Sequence, residues 1–206
     1  MKNYVTEQEQ FWAGGFGDGY MARNASDALH RSNVFFWRSV LRAMPRPASI
    51  AELGCNIGMN LRALNQLDPN IELSGFEINE QACDKARELG VARIECRTVI
   101  DPLPGEALYD LSFTKGVLIH INPDHLNDVY DNLFRISNKY IMVAEYYNPT
   151  PVSVNYRGHE GRLFKRDFAG ELMDRHNLKL IDYGFVYHRD NYAPQDDVSW
   201  FLMAKS

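Results

Sequence analysis

The chain has 206 residues, 45% apolar and 24% charged, with a formal net charge of −5; this fits one globular α/β domain with a full core. The acidic balance argues against a general nucleic-acid binder, which needs a basic face, and no apolar run reaches the length of a membrane span. The polar, acidic stretch from Met1 to Gln10 does not read as a secretory leader, and three widely spaced cysteines, Cys55, Cys83 and Cys96, suit a reducing cytoplasm and form no metal signature.

In chain order, Thr6 to Glu9 reads as a capping box opening a short helix, which the glycine run Gly14 to Gly19 should break. A longer helix is expected from Ser26 to Met44, ended by Pro45 and Pro47. Strands are expected at 49–53, 72–77, 93–97, 111–115, 140–146, 179–188 and 198–205. Helices should fill 60–67, 80–89 with Gly90 as the cap, 122–137 opened by Asn122-Pro123, and 167–176. The stretch 98–109 carries two prolines and is too short for an ordinary crossover helix. A loop is expected up to Arg166. Strand–helix alternation implies a mostly parallel, doubly wound sheet covered on both faces. The last two strands have no helix between them and should pair antiparallel across the long loop 189–197.

The strand Ile50 to Leu53 runs into Gly54-Cys55-Asn56-Ile57-Gly58-Met59-Asn60, and a second strand closes on Glu77. This is the arrangement that holds a nucleoside-bearing cofactor: glycines allow close approach of the backbone, and an acid accepts from ribose hydroxyls. A dinucleotide fingerprint needs G-x-G-x-x-G; here Asn56 occupies the second glycine position, the third glycine is missing, and Asn60 stands two residues after Gly58. The pattern Glu-x-Gly-x-Asn-x-Gly resembles motif I of class I S-adenosylmethionine (SAM)-dependent methyltransferases. The segments Phe11 to Tyr20 with Arg23-Asn24, Phe113 to Pro123, and Leu163 to Phe168 are similar to the pseudaminic acid biosynthesis-associated methylase family. The resemblance covers nearly the whole chain. It implies a Rossmann-like class I methyltransferase fold with a seven-stranded sheet: one domain, 1–206, in which 1–47 form a helical lid and 48–206 the core.

The resemblance also distributes roles. Glu52, Gly54, Asn56, Gly58 and Asn60 form the cofactor loop, Glu77 takes the ribose and Ile78 the adenine. Thr98 and Val99 lie at the adenine edge, and Thr114, Lys115 and Gly116 under the methionine part. Trp12, Tyr20, Arg23 and Asn24 form a lid, with Arg23 on the cofactor carboxylate and the aromatics facing the sulfonium. His120 is the candidate general base; its spacing from His125 suits no common metal site. Tyr146, Tyr147, Asn148, Tyr156, Arg157, His159, Lys165 and Arg166 offer aromatic faces and an anion-binding set. Plainer readings stand beside these: a surface lysine at Lys115, local capping by His120, core packing by the aromatics, a solvated basic loop. Gly54→Val is expected to abolish cofactor binding and leave the protein folded.

The function expected is SAM-dependent methylation of an O or N atom of a small, anionic or sugar-derived metabolite, as in sugar biosynthesis, in the cytoplasm. Nucleic-acid base methylation is disfavoured, because Thr114-Lys115-Gly116-Val117 stands where an Asn/Asp-Pro-Pro-aromatic tetrad would be. A nicotinamide-dependent oxidoreductase on the same architecture and a non-catalytic module binding SAM or a partner are the competing readings. Neither the acceptor atom nor the oligomeric state follows from the sequence.

Overall fold

A computed structural model describes residues 4–21 and 26–206. Its helices are α1 (Glu7–Ala13), α2 (Gly15–Tyr20), α3 (Asp27–Leu41), α4 (Met59–Leu67), α5 (Glu80–Glu88), α6 (Leu126–Ile136) and α7 (Phe168–His176). Its strands are β1 (Ser49–Leu53), β2 (Glu72–Glu77), β3 (Arg93–Cys96), β4 (Tyr109–Lys115), β5 (Ser137–Glu145), β6 (Val152–Tyr156), β7 (His159–Lys165), β8 (Lys179–Val186) and β9 (Val198–Ala204). Seven strands form one sheet in the order β3-β2-β1-β4-β5-β9-β8. Neighbours from β3 to β5 are parallel, and β9 runs antiparallel between β5 and β8. The expected doubly wound sheet with its terminal antiparallel pair is the one observed.

Alternation along the strands sorts two cores. Ile50, Leu111, Phe113, Met142 and Ala144 face α3, α4 and α5 and meet Phe36, Trp37, Leu61, Leu64 and Cys83. Ala51, Leu53, Ile141 and Val143 face the other way, onto Val129, Leu133, Phe168 and Leu172 of α6 and α7. Successive side chains of a strand point to opposite faces, so both layers are apolar only if the strands are apolar throughout. Trp37 packs edge-on to Phe113 with ring centroids 4.5 Å apart; burying each such ring contributes about 1.5–3 kcal/mol.

Helix starts follow local chemistry. Thr6 Oγ1 accepts from Glu9 N, and Glu9 answers by accepting from Thr6 N, closing the capping box. Asn79 caps α5 by accepting from Ala82 N at 2.9 Å, and Asp167 caps α7 by accepting from Gly170 N at 2.8 Å. Asn122 with Pro123 starts a 3₁₀ turn, Pro123–His125, which leads into α6.

Two segments depart from expectation. The glycine run does not end helical structure: after a break at Gly14 the chain resumes as α2. A Cβ on Gly17 would lie 1.9 Å from the Trp12 carbonyl oxygen and 2.9 Å from Asn79 Nδ2, so this glycine serves close approach and not a turn. The expected loop before Arg166 contains the antiparallel hairpin β6–β7. Arg157 and Gly158, at φ of 53° and 87°, form its two-residue turn, as the right-handed twist of hairpins favours.

The region 97–108 carries no helix, as expected. Buried Asn132 of α6 holds it instead, donating to Val99 and Asp101 carbonyls at 2.8 Å and accepting from Leu103 N at 3.0 Å.

Candidate active site

A cavity of about 690 Å³ opens beyond the carboxyl ends of β1, β2 and β4, where ligands bind in doubly wound sheets. The turn after β1 forms its floor. Gly54 and Asn56 take left-handed φ values of 78° and 47°, which turns successive N–H groups inward. Gly54 N and Cys55 N donate to the Phe76 carbonyl at 2.8 and 3.0 Å, and Asn56 N donates to Glu77 Oε2 at 2.8 Å. Asn60, on the first turn of α4, donates to Glu52 Oε1 at 2.7 Å and accepts from Trp37 Nε1 at 3.3 Å.

Glu77 ends β2 and is held by three backbone donors: Asn56 on Oε2, Ile78 and Asn79 on Oε1 at 2.8 and 2.9 Å. Burial pushes its carboxyl above the usual range, and the three N–H bonds oppose that. Such a carboxylate is fixed in orientation and keeps lone pairs toward the cavity.

The roof comes from distant parts of the chain. Trp12 of α1 stands beside His120 and Tyr156, with ring centroids at 4.5 and 6.4 Å, and beside Tyr20 at 5.2 Å. Polar contacts pin this roof to the rest of the molecule. Thr98 Oγ1 donates to Glu9 Oε1, and Asn79 Nδ2 donates to the Trp12 carbonyl at 3.2 Å and to Asp18 Oδ1 at 2.8 Å. Gln8 Nε2 donates to the Gly161 carbonyl of the hairpin at 2.9 Å. The Trp12 indole N–H is buried and has no partner.

His120 lies in this aromatic group. Its Nδ1 is 2.6 Å from the Arg162 carbonyl. A carbonyl only accepts, so Nδ1 carries the hydrogen and Nε2 the lone pair. Burial lowers the imidazole pKa to about 4, with the Arg162 contact opposing, so the ring is neutral at pH 7. His125 is engaged elsewhere, with Asp128 at 2.9 Å.

Of the residues singled out in the sequence, Trp12, Tyr20, Glu52, Gly54, Asn56, Asn60, Glu77, Ile78, Thr98, Val99, Lys115, Gly116, His120, Tyr146, Tyr156 and Arg157 line the cavity. Others do not. Gly58 faces α5, where a Cβ would sit 3.1 Å from Leu89 and 3.3 Å from Ala86. Thr114 is wholly buried within the sheet. Arg166 is committed to Glu171 at 2.6 Å, a carboxylate that also accepts from Tyr130. Lys165 lies over the Tyr146 ring at 5.2 Å, and His159 packs on Phe11 and Phe16. Tyr147 bridges to Arg166 and meets Phe201, while Asn148 bonds Thr150. Arg23 and Asn24 lie outside the described residues. The basic loop of the sequence is therefore divided: Arg157 reaches the cavity, whereas Lys165 and Arg166 are used to anchor the hairpin and α7.

The structure adds residues the sequence did not flag. Asp196 accepts from Tyr146 OH at 3.1 Å, and Gln195 donates to the Ser32 carbonyl at 2.8 Å; with His188 they bring the β8–β9 loop to the cavity. His188 is oriented by Asp197, at 2.8 Å from Nδ1. Glu145, ending β5, accepts from Val117 N, Leu118 N and Ile119 N at 3.0, 3.1 and 3.4 Å, and so fixes the turn that carries His120. Burial pushes the Glu145 pKa to about 7. An acid at the carboxyl end of a strand was the one available signal for Glu145. The β8–β9 residues carry none, because only tertiary folding brings them in. Among the described residues no group of His, Cys, Asp and Glu is arranged to hold a metal, and no helix is long and apolar enough to cross a membrane.

No protein-family model matches the sequence, and no curated protein matches it significantly. Solved structures do match in fold. Magnesium protoporphyrin IX methyltransferase from Synechocystis, solved with SAM, aligns at a TM-score of 0.72 and 13% identity over 100% of both chains. Burkholderia thailandensis 1,6-didemethyltoxoflavin-N1-methyltransferase, solved with its substrate and S-adenosylhomocysteine (SAH), aligns at 0.71 and 14% identity over 100% of this chain and 93% of that one. A SAM-dependent methyltransferase from Leishmania major aligns at 0.72 and 14% identity over 96% and 81%. The fold is thus the Rossmann-like fold of class I methyltransferases.

Proposed function

We propose that the protein is a SAM-dependent methyltransferase acting on an O or N atom of a small, anionic or sugar-derived metabolite. The observation that carries this reading is Glu77: a carboxylate clamped by three backbone N–H groups at the end of β2, facing the cavity beside a left-handed Gly-x-Asn turn. That geometry suits a ribose diol. Ile78, Thr98 and Val99 continue the wall where an adenine would follow. The fold neighbours solved with SAM or SAH support the same cofactor.

When bound, SAM supplies a methyl group on a sulfonium, open to in-line displacement. The protein's part is to align the acceptor and exclude water, a contribution of roughly 7–11 kcal/mol in well-oriented reactions. Trp12, Tyr20 and Tyr156 close the cavity as an aromatic roof, the lid of this reading, and their ring faces favour a cationic sulfur. His120 enters as a neutral imidazole with Nε2 as its accepting atom. With a pKa near 4 it orients an acceptor hydroxyl or amine better than it stores a proton, since base efficiency peaks when pKa is near the working pH. Arg157 is the cation available to an anionic acceptor, and Asp196 with the hydroxyls of Tyr146 and Tyr156 takes polar groups beside it.

Isothermal calorimetry should give micromolar binding of SAM and SAH without metal. Binding of a nicotinamide dinucleotide in their place would overturn the cofactor assignment. A mass-spectrometric screen of nucleotide sugars and carboxylated metabolites with SAM then finds the acceptor. On that acceptor Arg157→Ala should raise KM more than it lowers kcat, because a charge contact far from the reacting atoms binds ground and transition states alike. High salt should reproduce part of the effect by screening. Arg166→Ala should instead lower thermal stability with KM unchanged. Wild-type constants for Arg157→Ala, or a cationic acceptor, would remove the anionic part of the reading.

A further inference from the structure

The strands β8 and β9 treat the two faces of the sheet unequally. On one face Val186, Val198 and Trp200 join the core beneath α3, where Trp200 meets Phe36 at a centroid distance of 6.4 Å. On the other, Tyr183 stands opposite Phe201 and Phe185 opposite Ser199, and directly opposite residues share a face. The helices of that side, α6 and α7, pack on β4 and β5 and leave this part open. Tyr183 is 66% exposed, Phe185 59%, Tyr147 46% and Tyr187 44%. Their rings run on from one another: Tyr147 to Phe201 at 6.2 Å, Phe201 to Tyr183 at 6.3 Å, and Phe185 to Tyr187 at 6.2 Å.

The edge of β8 is protected where its face is not. Its register with β9 shifts between Leu180 and Asp182, and Asp182 Oδ1 accepts from Tyr183 N at 2.9 Å. A bulge and an occupied N–H discourage strand addition along the edge, so a partner comes to the face. A buried aromatic side chain removes about 150–250 Å² from water, so the exposed parts of these four rings amount to roughly 300–550 Å². That is about half of the roughly 800 Å² each partner contributes to a standard interface, the share that apolar area normally takes. Charge supplies the orientation. Lys139 of β5, Lys179 of β8 and Lys205 just after β9 share one end of these strands. At the other end Asp190, Asp196 and Asp197 outweigh Arg189 and Lys165.

We propose that a second copy of this chain covers this face, packed sheet to sheet about a two-fold axis that crosses β8 near Tyr183 and reverses the strand direction. The axis sets the basic end of one copy against the acidic end of the other, and the contact is the same patch twice. Facing sheets stand about 10 Å apart, which leaves room for two layers of rings. The acidic end is the β8–β9 loop, which also brings His188, Gln195 and Asp196 to the cavity. The second copy therefore rests on an element of the candidate site.

Sedimentation equilibrium of the wild-type chain from about 1 to 100 μM tests this, with a dimer of micromolar or tighter Kd expected. Tyr183→Asp puts an unpaired charge into the interface twice, once per copy, and should weaken association about a hundredfold or more; Phe185→Asp should do the same. Both positions are exposed in the single chain, so circular dichroism of these variants should match the wild type. Phe35→Asp, at an exposed aromatic of α3 on the opposite side of the sheet, should leave the dimer intact. Lys179→Glu should weaken it several-fold, and so should added salt, which screens the attraction of opposite ends. Association that tightens with salt would bring like ends together and overturn the arrangement. A dimer that keeps wild-type affinity in Tyr183→Asp and Phe185→Asp lies on another surface and overturns the proposal. So does a monomer throughout the range. Binding of that monomer to phosphatidylcholine vesicles, lost in Tyr183→Asp, would give the face to lipid, and no binding would leave it to a different protein.

Discussion

Glu77→Ala is expected to weaken SAH binding by a factor of a hundred or more. Two ribose hydroxyls on one carboxylate are two charge-assisted hydrogen bonds, each about 1.5–3 kcal/mol, and every 1.4 kcal/mol is about tenfold in Kd. The low end of that sum, about 3 kcal/mol, already gives about a hundredfold. The variant also strips the acceptor from Asn56 N, Ile78 N and Asn79 N, so the turn after β1 loses its tie to β2. Glu77→Gln separates the two effects: its single oxygen can keep part of the backbone set, while its amide nitrogen cannot accept from a second hydroxyl. It should bind SAH at an affinity between wild type and Glu77→Ala. Calorimetry with circular dichroism on all three proteins decides. An affinity for Glu77→Ala within threefold of wild type, with the fold intact, would mean that the ribose lies elsewhere.

Where the sequence was legible, the signal was periodic or local. The strands at Ser49–Leu53 and Glu72–Glu77 were read residue for residue, because turn residues bound them: Pro45 and Pro47 precede the first and Gly54 follows it, and Asp68-Pro69-Asn70 precedes the second. The capping box of Thr6 and Glu9 was legible because its partners lie within four residues of each other; the Asn79 cap of α5, equally local, was not read. The hairpin was not, although Tyr156-Arg157-Gly158-His159 holds its two-residue turn. β6 is mostly exposed and Leu163 is the one fully buried residue of β7, so the usual apolar stripe is faint. The glycine run breaks the first helix at Gly14 as expected, but the return to helix over Gly15–Tyr20 was not legible, because glycine has two uses. At Gly54 and Gly158 it supplies positive φ, whereas at Gly17 it makes room for another backbone; composition alone does not distinguish them. The candidate site divides along the same line. The turn after β1 and Glu77 are contiguous with their strands and were found. Asp196, Gln195 and His188 reach the cavity from the β8–β9 loop and were not. Lys165 and Arg166 were grouped with Arg157 by position in the chain, but the pleat and the Asp167 cap send them to Tyr146 and Glu171 instead.

Gly54→Val is expected to lower the melting temperature on the order of ten degrees, not merely to remove cofactor binding from a stable protein. The sequence reading aims the new side chain at the ligand. The structure aims it at Val117: a Cβ on Gly54 would lie 2.5 Å from Val117 Cγ2 and 2.9 Å from Cγ1. Val117 itself packs against the α6 and α7 core and gives its N–H to Glu145, so it cannot retreat freely. Two costs combine. A non-glycine residue at a φ of 78° costs about 1–2 kcal/mol, more if β-branched. Overpacking beside a fixed neighbour costs about 1–3 kcal/mol more. Together they take a sizeable part of a total stability of about 5–15 kcal/mol, and in a chain of this size each kcal/mol moves Tm by about 2–4 °C. The collision and the backbone strain can be told apart. A Val117→Ala background removes the collision and keeps the strain, so Gly54→Ala should cost less stability in that background than in the wild type. Thermal melts of the wild type, the two single variants and the double variant, with SAH affinity measured below each transition, complete the cycle. If Gly54→Val melts with the wild type and only SAH binding is lost, the side chain points into the ligand space after all. If Val117→Ala returns none of the stability, the collision is not the cause, and the left-handed backbone of Gly54 alone sets the requirement for glycine.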